Sequence, residues 1–181
     1  MKSANKMIAL VALVCAAPFI SAWVAYYFFK PEGGQSYGAL LEVKPVPPMP
    51  FTSDQAALAK NKFLLVHKVD GSCDNACEEA LYPTRQARTL MHKDKDRVLR
   101  VAIGSAPTLS PEQIAQHPDL VVINAAPPSA ELTSLLATKI VLIDPLGNQV
   151  IAWDRTQDLN GIKRLHGDLS RLMRASKWEA K

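Results

Sequence analysis

The sequence predicts an α/β fold behind a single N-terminal transmembrane helix, and three features of the 181 residues carry that prediction. Residues 7–29 form an uncharged apolar run of about 23 residues, long enough to cross a hydrocarbon core of about 30 Å. From residue 62 onward, short apolar strand-like runs alternate with helical patterns, the signature of a sheet covered by helices. Two of the three cysteines, Cys73 and Cys77, sit directly after the first of those strands, where a helix begins.

The apolar run ends in aromatics (Trp23, Tyr26, Tyr27, Phe28, Phe29), as expected where a helix leaves the membrane. A cleaved signal peptide is the alternative, but its apolar region is usually only about 7–15 residues. Cys15 lies in mid-run and reads as a small packing residue. Lys2, Lys6 and the amino terminus precede the run, against Lys30 and Glu32 after it, which places the N-terminus in the cytoplasm and the remainder outside it. Without Lys2, Lys6 and Lys30, 18 of the 21 basic residues remain against all 17 acidic ones. That near-balance argues against a nucleic-acid partner. The expected organisation is an anchor at 1–30, a proline-rich periplasmic tether at 31–61, and a globular domain at 62–181. In the tether, Gly33-Gly34 gives slack, whereas Pro45, Pro47, Pro48 and Pro50 favour extended geometry. Residues 54–60 add a short helical turn.

Within the domain, residues 63–69 form the first strand and 73–92 the helix after it. Residues 97–104 are the second strand. Pro111 starts a short helix capped by Ser110. A third strand at 120–124, a helix at 129–137 and a fourth strand at 139–144 follow. Asp144-Pro145-Leu146-Gly147-Asn148 is turn chemistry leading into a fifth strand at 149–153, so the last two strands form a hairpin. The final helix begins near Leu159 and sets Ile162, Leu165, Leu169, Leu172 and Met173 on one face. This order, with cysteines at the first strand-to-helix junction, is a thioredoxin-like arrangement. In such sheets, sites form at the carboxyl ends of strands, where helix N-termini converge.

Residues 70–82, Asp-Gly-Ser-Cys-Asp-Asn-Ala-Cys-Glu-Glu-Ala-Leu-Tyr, hold the chemistry. Placed at i and i+4 on one helical face, Cys73 and Cys77 have Cβ atoms about 5–6 Å apart. A disulfide wants about 3.5–4.5 Å, so closure is expected to distort the first turn and give an easily reduced bond. Oriented amides at a helix start favour a thiolate, while Asp74, Glu78 and Glu79 oppose it. Left reduced, the two sulfurs suit one soft metal ion. A static disulfide that only stabilises an exported domain is the bland alternative; closing so short a loop removes little chain entropy.

The layout resembles the SCO/SenC family of membrane-anchored, thioredoxin-like proteins that assist assembly of the copper centre of cytochrome c oxidase. The resemblance spans anchor, tether, Cys73-x-x-x-Cys77, and the late Ile140-Val141-Leu142-Ile143-Asp144-Pro145-Leu146-Gly147 segment. It implies that Cys73 and Cys77 cycle between dithiol and disulfide and bind Cu(I), and that the partner is a membrane-embedded, copper-bearing respiratory oxidase subunit. It also implies a bacterial inner-membrane protein with its domain in the periplasm. Family members add a distant histidine to the copper site; anchoring on Asp144-Pro145 puts Leu136 there. The histidine nearest the cysteines in sequence is His67, the remaining candidate for a third ligand, although strand alternation groups it with Phe63, Leu65 and Val69 in the core. His92 is expected to cap the helix after the cysteines, His117 to lie in a surface turn, and His166 among polar residues of the last helix. A general periplasmic thiol-disulfide oxidoreductase and a non-catalytic assembly scaffold remain the alternatives.

Overall fold

The computed structural model describes residues 2–28, 36–155 and 158–176. The chain forms two compact units, Met1–Gln35 and Ser36–Lys181. In the first, helix α1 spans Lys2–Phe28. Its stretch Asn5–Phe28 is long and apolar enough to cross a membrane. Phe29, Lys30 and the Gly33-Gly34 part of the expected tether lie outside the described residues.

The second unit is a six-stranded sheet. In chain order its elements are β1 (Ala39–Pro45), α2 (Ser53–Ala59), β2 (Phe63–Lys68), α3 (Asn75–Leu90), β3 (Val98–Gly104), α4 (Pro111–Gln116), β4 (Leu120–Asn124), α5 (Ala130–Thr138), β5 (Lys139–Ile143), β6 (Asn148–Asp154) and α6 (Leu159–Ala175). The strands lie in the order β1-β6-β5-β2-β3-β4. Strands β2, β3 and β4 are parallel, whereas β5 and β6 form an antiparallel hairpin beside β2. Gly147 (φ +89°) closes that hairpin, and Asp144 Oδ1 accepts from the amides of Leu146 and Asn148 at 2.9 and 2.8 Å. Here the turn chemistry read from the sequence works as expected.

Side-chain alternation divides the core into two layers. Phe63, Leu65 and Leu142 pack with Ala87 of α3 and Leu165 and Leu169 of α6. Leu64, Val66 and Val141 pack on the other side with Leu132 and Leu136 of α5. The last helix buries Ile162, Leu165, Leu169 and Met173, four of its five predicted core positions.

Strand β1 is the element missing from the sequence reading, which treated its residues as tether. It pairs antiparallel with β6, through a bulge between Leu40 and Lys44. It is a mostly exposed edge strand with a proline at its end, where no ladder donor is needed. What holds it lies far away in sequence. Asp168 of α6, 4% exposed, accepts from the amides of Tyr37 and Gly38 (3.0 and 2.9 Å), from Ser36 Oγ (3.3 Å) and from Trp153 Nε1 (3.1 Å). Gly38 lies so close to Trp153 and Ile151 that a β-carbon would fall 2.5 Å from Trp153 Nε1.

Candidate functional site: the Cys73–Cys77 junction

Past β2 the chain must turn from strand to helix beside the end of β3. Gly71 makes the turn with φ +68°, and Gly104 permits the approach: a β-carbon there would sit 2.7 Å from Asp70 Oδ1. Asp70 Oδ1 receives the Ser105 amide at 3.0 Å. Backbone bonds Gly71 N–Ser105 O (2.9 Å), Thr108 N–Gly71 O (2.8 Å) and Cys73 N–Thr108 O (2.8 Å) then stitch the cysteine loop to the loop after β3. Gln113 Nε2 donates to the Cys73 carbonyl at 3.1 Å, while Gln113 Oε1 accepts from the Ser110 amide in a capping box.

Helix α3 starts two residues later than the sequence predicts. Asp74 is its N-cap and accepts the Cys77 amide at 2.9 Å. Cys73 therefore precedes the helix, and Cys77 occupies its third position. The two are joined by a disulfide with Cα atoms 5.2 Å apart, within the usual span of about 4.4–6.8 Å. The distortion expected from an i, i+4 pair on one helical face does not arise, because Cys73 is not helical. Cys73 is half-buried and Cys77 only 6% exposed, packed with Val69, Leu81 and Ala102.

A cleft of about 500 Å³ is bounded by Lys68, Asp70, Cys77, Ala137 and Arg155 among others, and by Ser72 and Asp74 on either side of Cys73, which is not itself in the lining. Leu136 is not part of it: it is fully buried in the α5 layer, and its neighbour Ala137 faces the cleft instead. A shift of one residue along α5 is enough to change layers.

The histidines fall elsewhere. His67 is 1% exposed, with Nε2 3.0 Å from Thr84 Oγ1 and Nδ1 without a hydrogen-bond partner. His117, expected in a surface turn, is 2% exposed. Its Nδ1 meets Arg100 Nη1 at 3.2 Å and its Nε2 meets Glu78 Oε1 at 3.0 Å. Arginine only donates, so Nδ1 must be the acceptor, and the ring carries its proton on Nε2, pointed at Glu78. Arg100, with a fully buried side chain, also donates to Thr84 Oγ1 (3.1 Å) and to the Leu81 carbonyl (2.7 Å), and pairs with Asp119 (3.3 Å). Burial lowers its pKa to about 10 against the pull of Asp119. Burial also holds His67 well below the ordinary histidine value and His117 below it, with Glu78 opposing the shift at His117. This network fastens the first three turns of α3 to β3, and so fixes the helix that carries Cys77. His92 is exposed and takes φ +48° just past the Met91 C-cap, while His166 bonds Ser170. Among the described residues no group of three His, Cys, Asp or Glu side chains converges to hold a metal. Reduced, the pair would offer two sulfurs and no built third donor.

The sequence reading missed Gln113, Arg155, Ala137 and the Arg100–His117–Glu78 network. Only Gln113 had a signal in the sequence: the Ser110-x-x-Gln113 spacing of a capping box.

A family model described as "Transmembrane-like, thioredoxin-like, C-terminal domain" matches residues 63–176. The chain belongs to this family. Among solved structures the thioredoxin-like domain is similar to apo Sco1 from Thermus thermophilus: TM-score 0.51, 15% identity, 80% of this chain and 98% of that one covered. Yeast Sco1 with copper bound gives 0.48 at 17% identity over 79% and 96%. Bradyrhizobium japonicum ScoI with copper bound gives 0.45 at 17% over 74% and 98%. At these identities the likeness is one of fold, and Sco proteins are among the structural neighbours of this thioredoxin-like domain. No curated protein matches the chain.

Proposed function

We propose that the protein is a membrane-anchored thiol-disulfide assembly factor for a copper-bearing respiratory oxidase, acting from the periplasmic face of a bacterial inner membrane. The observation that carries this reading is the Cys73–Cys77 bond at the strand-to-helix junction, with one sulfur-bearing residue half-exposed and the other buried. That asymmetry divides the labour. In the reduced protein Cys73 is the accessible thiolate; it attacks a partner disulfide and forms a mixed disulfide. Cys77, held by α3, then attacks Cys73 Sγ, releases the partner as a dithiol, and closes the pair. Cys77, buried and held in α3, is out of a partner's reach, so it resolves rather than initiates. The SCO/SenC resemblance in the anchor, the cysteine spacing and the Asp144-Pro145 segment supports the oxidase partner.

Copper enters as cargo. Two thiolates suit Cu(I), which accepts soft, low-coordinate sites, and give Cu(II) no nitrogen or oxygen donor. His67 remains the imidazole nearest in sequence, but its Nε2 is engaged by Thr84 in the interior. The expected affinity for Cu(I) is therefore weak. The test is reduction, by the dithiol form, of a peptide disulfide with the sequence of an oxidase copper site, with Cys73→Ser and Cys77→Ser as controls. Trapping of a stable mixed disulfide by Cys77→Ser alone supports the assigned roles; trapping by Cys73→Ser alone reverses them.

A further inference from the structure

We propose that the cleft beside Cys73–Cys77 selects thiols that carry a carboxylate, and that Arg155 is the residue that binds the carboxylate. The inference rests on the thiol-disulfide reading of the pair and names the substrate class of that site. The other charges of the cleft have close ion-pair or capping partners, whereas Arg155 acts on Asp70 only through its field, which helps the Lys68 hydrogen bond to lower the Asp70 pKa. Lys68 Nζ lies 2.8 Å from Asp70 Oδ2, and Asp70 Oδ1 holds the Ser105 amide. Asp74 caps α3 on the Cys77 amide. Arg155 donates one Nη2–H to the Lys68 carbonyl at 3.0 Å, and no carboxylate lies within ion-pair distance of it among the described residues. Its own amide is held by the Thr138 carbonyl at 3.3 Å, so the half-buried side chain is anchored at both ends, to the end of α5 and to β2.

A guanidinium has five N–H donors in a planar fork matched to a carboxylate, and among the described residues the Lys68 carbonyl takes only one of them. The cleft's volume of about 500 Å³ suits a small thiol or a few residues of a peptide. Asp74, at the α3 side of the cleft, repels an anion, so the ligand's carboxylate is directed to the Arg155 side while its sulfur addresses the disulfide. The ligand is thus a small thiol acid or a cysteine with a neighbouring carboxylate.

The chemistry is ordinary exchange. The incoming thiolate attacks Cys73 Sγ as the Cys73–Cys77 bond breaks, and Cys77 leaves as a thiolate that takes up a proton. A second thiolate attacks the ligand sulfur of the mixed disulfide, releasing the oxidised ligand and Cys73 thiolate. Two thiols lose two electrons and the protein disulfide gains them.

The test uses the detergent-solubilised full chain at about pH 8, where small thiols are partly ionised. Rates of Cys73–Cys77 reduction by 3-mercaptopropionate and by neutral 2-mercaptoethanol are read by mass-tag alkylation, with Cys15 as a constant background. The ratio of the two rates, compared between native protein and variant, cancels intrinsic thiol reactivity. Arg155→Gln is expected to lower the anionic-to-neutral ratio about 5–10-fold, and Arg155→Lys, which keeps charge without the fork, by about 2–3-fold. Salt at about 0.5 M should shrink the native preference and leave the Arg155→Gln ratio unchanged. A native ratio matched by both variants overturns the assignment of Arg155 and leaves the redox reading standing. A disulfide that neither thiol opens in any of the proteins overturns the redox reading and this inference with it.

Discussion

Removing the Asp168 carboxylate should unfasten β1 from the sheet, and the cost follows from what would be left behind. Two of its donors, Gly38 N and Trp153 Nε1, make buried bonds, and Asp168→Ala strands them without a partner. Each unsatisfied buried donor costs about 1–3 kcal/mol, whereas Ser36 and Tyr37, nearer the surface, re-solvate. The expected loss is about 3–5 kcal/mol, a fall of roughly 10 °C or more in Tm for a unit this size. Asp168→Asn keeps one acceptor oxygen and should cost about half as much. Urea denaturation of residues 36–181, followed by tryptophan fluorescence, measures it. A fragment beginning at residue 62 lacks β1 altogether and should be at least as unstable as Asp168→Ala. A loss below about 1 kcal/mol for Asp168→Ala would show that β1 is not held by this carboxylate.

Other expectations follow from the same contacts. Gly104→Ala pushes a methyl against the Val69 backbone and Asp70 Oδ1, and should cost about 2 kcal/mol or more by denaturation. His67 and His117 have folded-state pKa values below 6.5, so the unfolded chain binds more protons as the pH falls through that value. Their contribution is complete above about pH 6.5 and is lost in more acid solution, by at most about 1.4 kcal/mol per pH unit per histidine. Arg100, Arg85 and Glu78 face His117, and His117→Gln should remove its share of the slope in a pH series of urea titrations. For copper, Ala137→His places an imidazole at the cleft that Cys77 lines, and should raise Cu(II) affinity of the reduced protein at least 10-fold in competition with a chromophoric chelator. Leu136→His should instead destabilise the α5 layer without building a site.

Local patterns made most of the fold legible. Strands β2 to β6 and helices α3 to α6 announce themselves by apolar runs, caps and turn residues. Thus Ser110 and Pro111 open α4, and the Asp144 to Asn148 turn fixes the final hairpin. Strand β1 was hidden because the glycines before it and Pro45, Pro47, Pro48 and Pro50 at and beyond its end read as a spacer, and because Trp153 and Asp168, which hold it, lie more than a hundred residues away. The site was legible in position and less so in detail. Strand-to-helix order located Cys73 and Cys77, but not that Asp74 rather than Cys73 begins the helix. His117 looked exposed beside Pro118 because its partners, Glu78 and Arg100, are brought to it only by packing of α3 against β3. Counting back from Asp144 reached the right turn of α5 and the wrong side of it.

The central claim is that Cys73–Cys77 is a working redox pair, and equilibrium titration in defined thiol-disulfide buffers tests it most directly. With the oxidised and reduced forms resolved by alkylation and circular dichroism recorded at each point, the account predicts a potential above about −300 mV and an unchanged fold in the dithiol form. A potential below that value, with unfolding on reduction, would mark the bond as a staple and contradict the account.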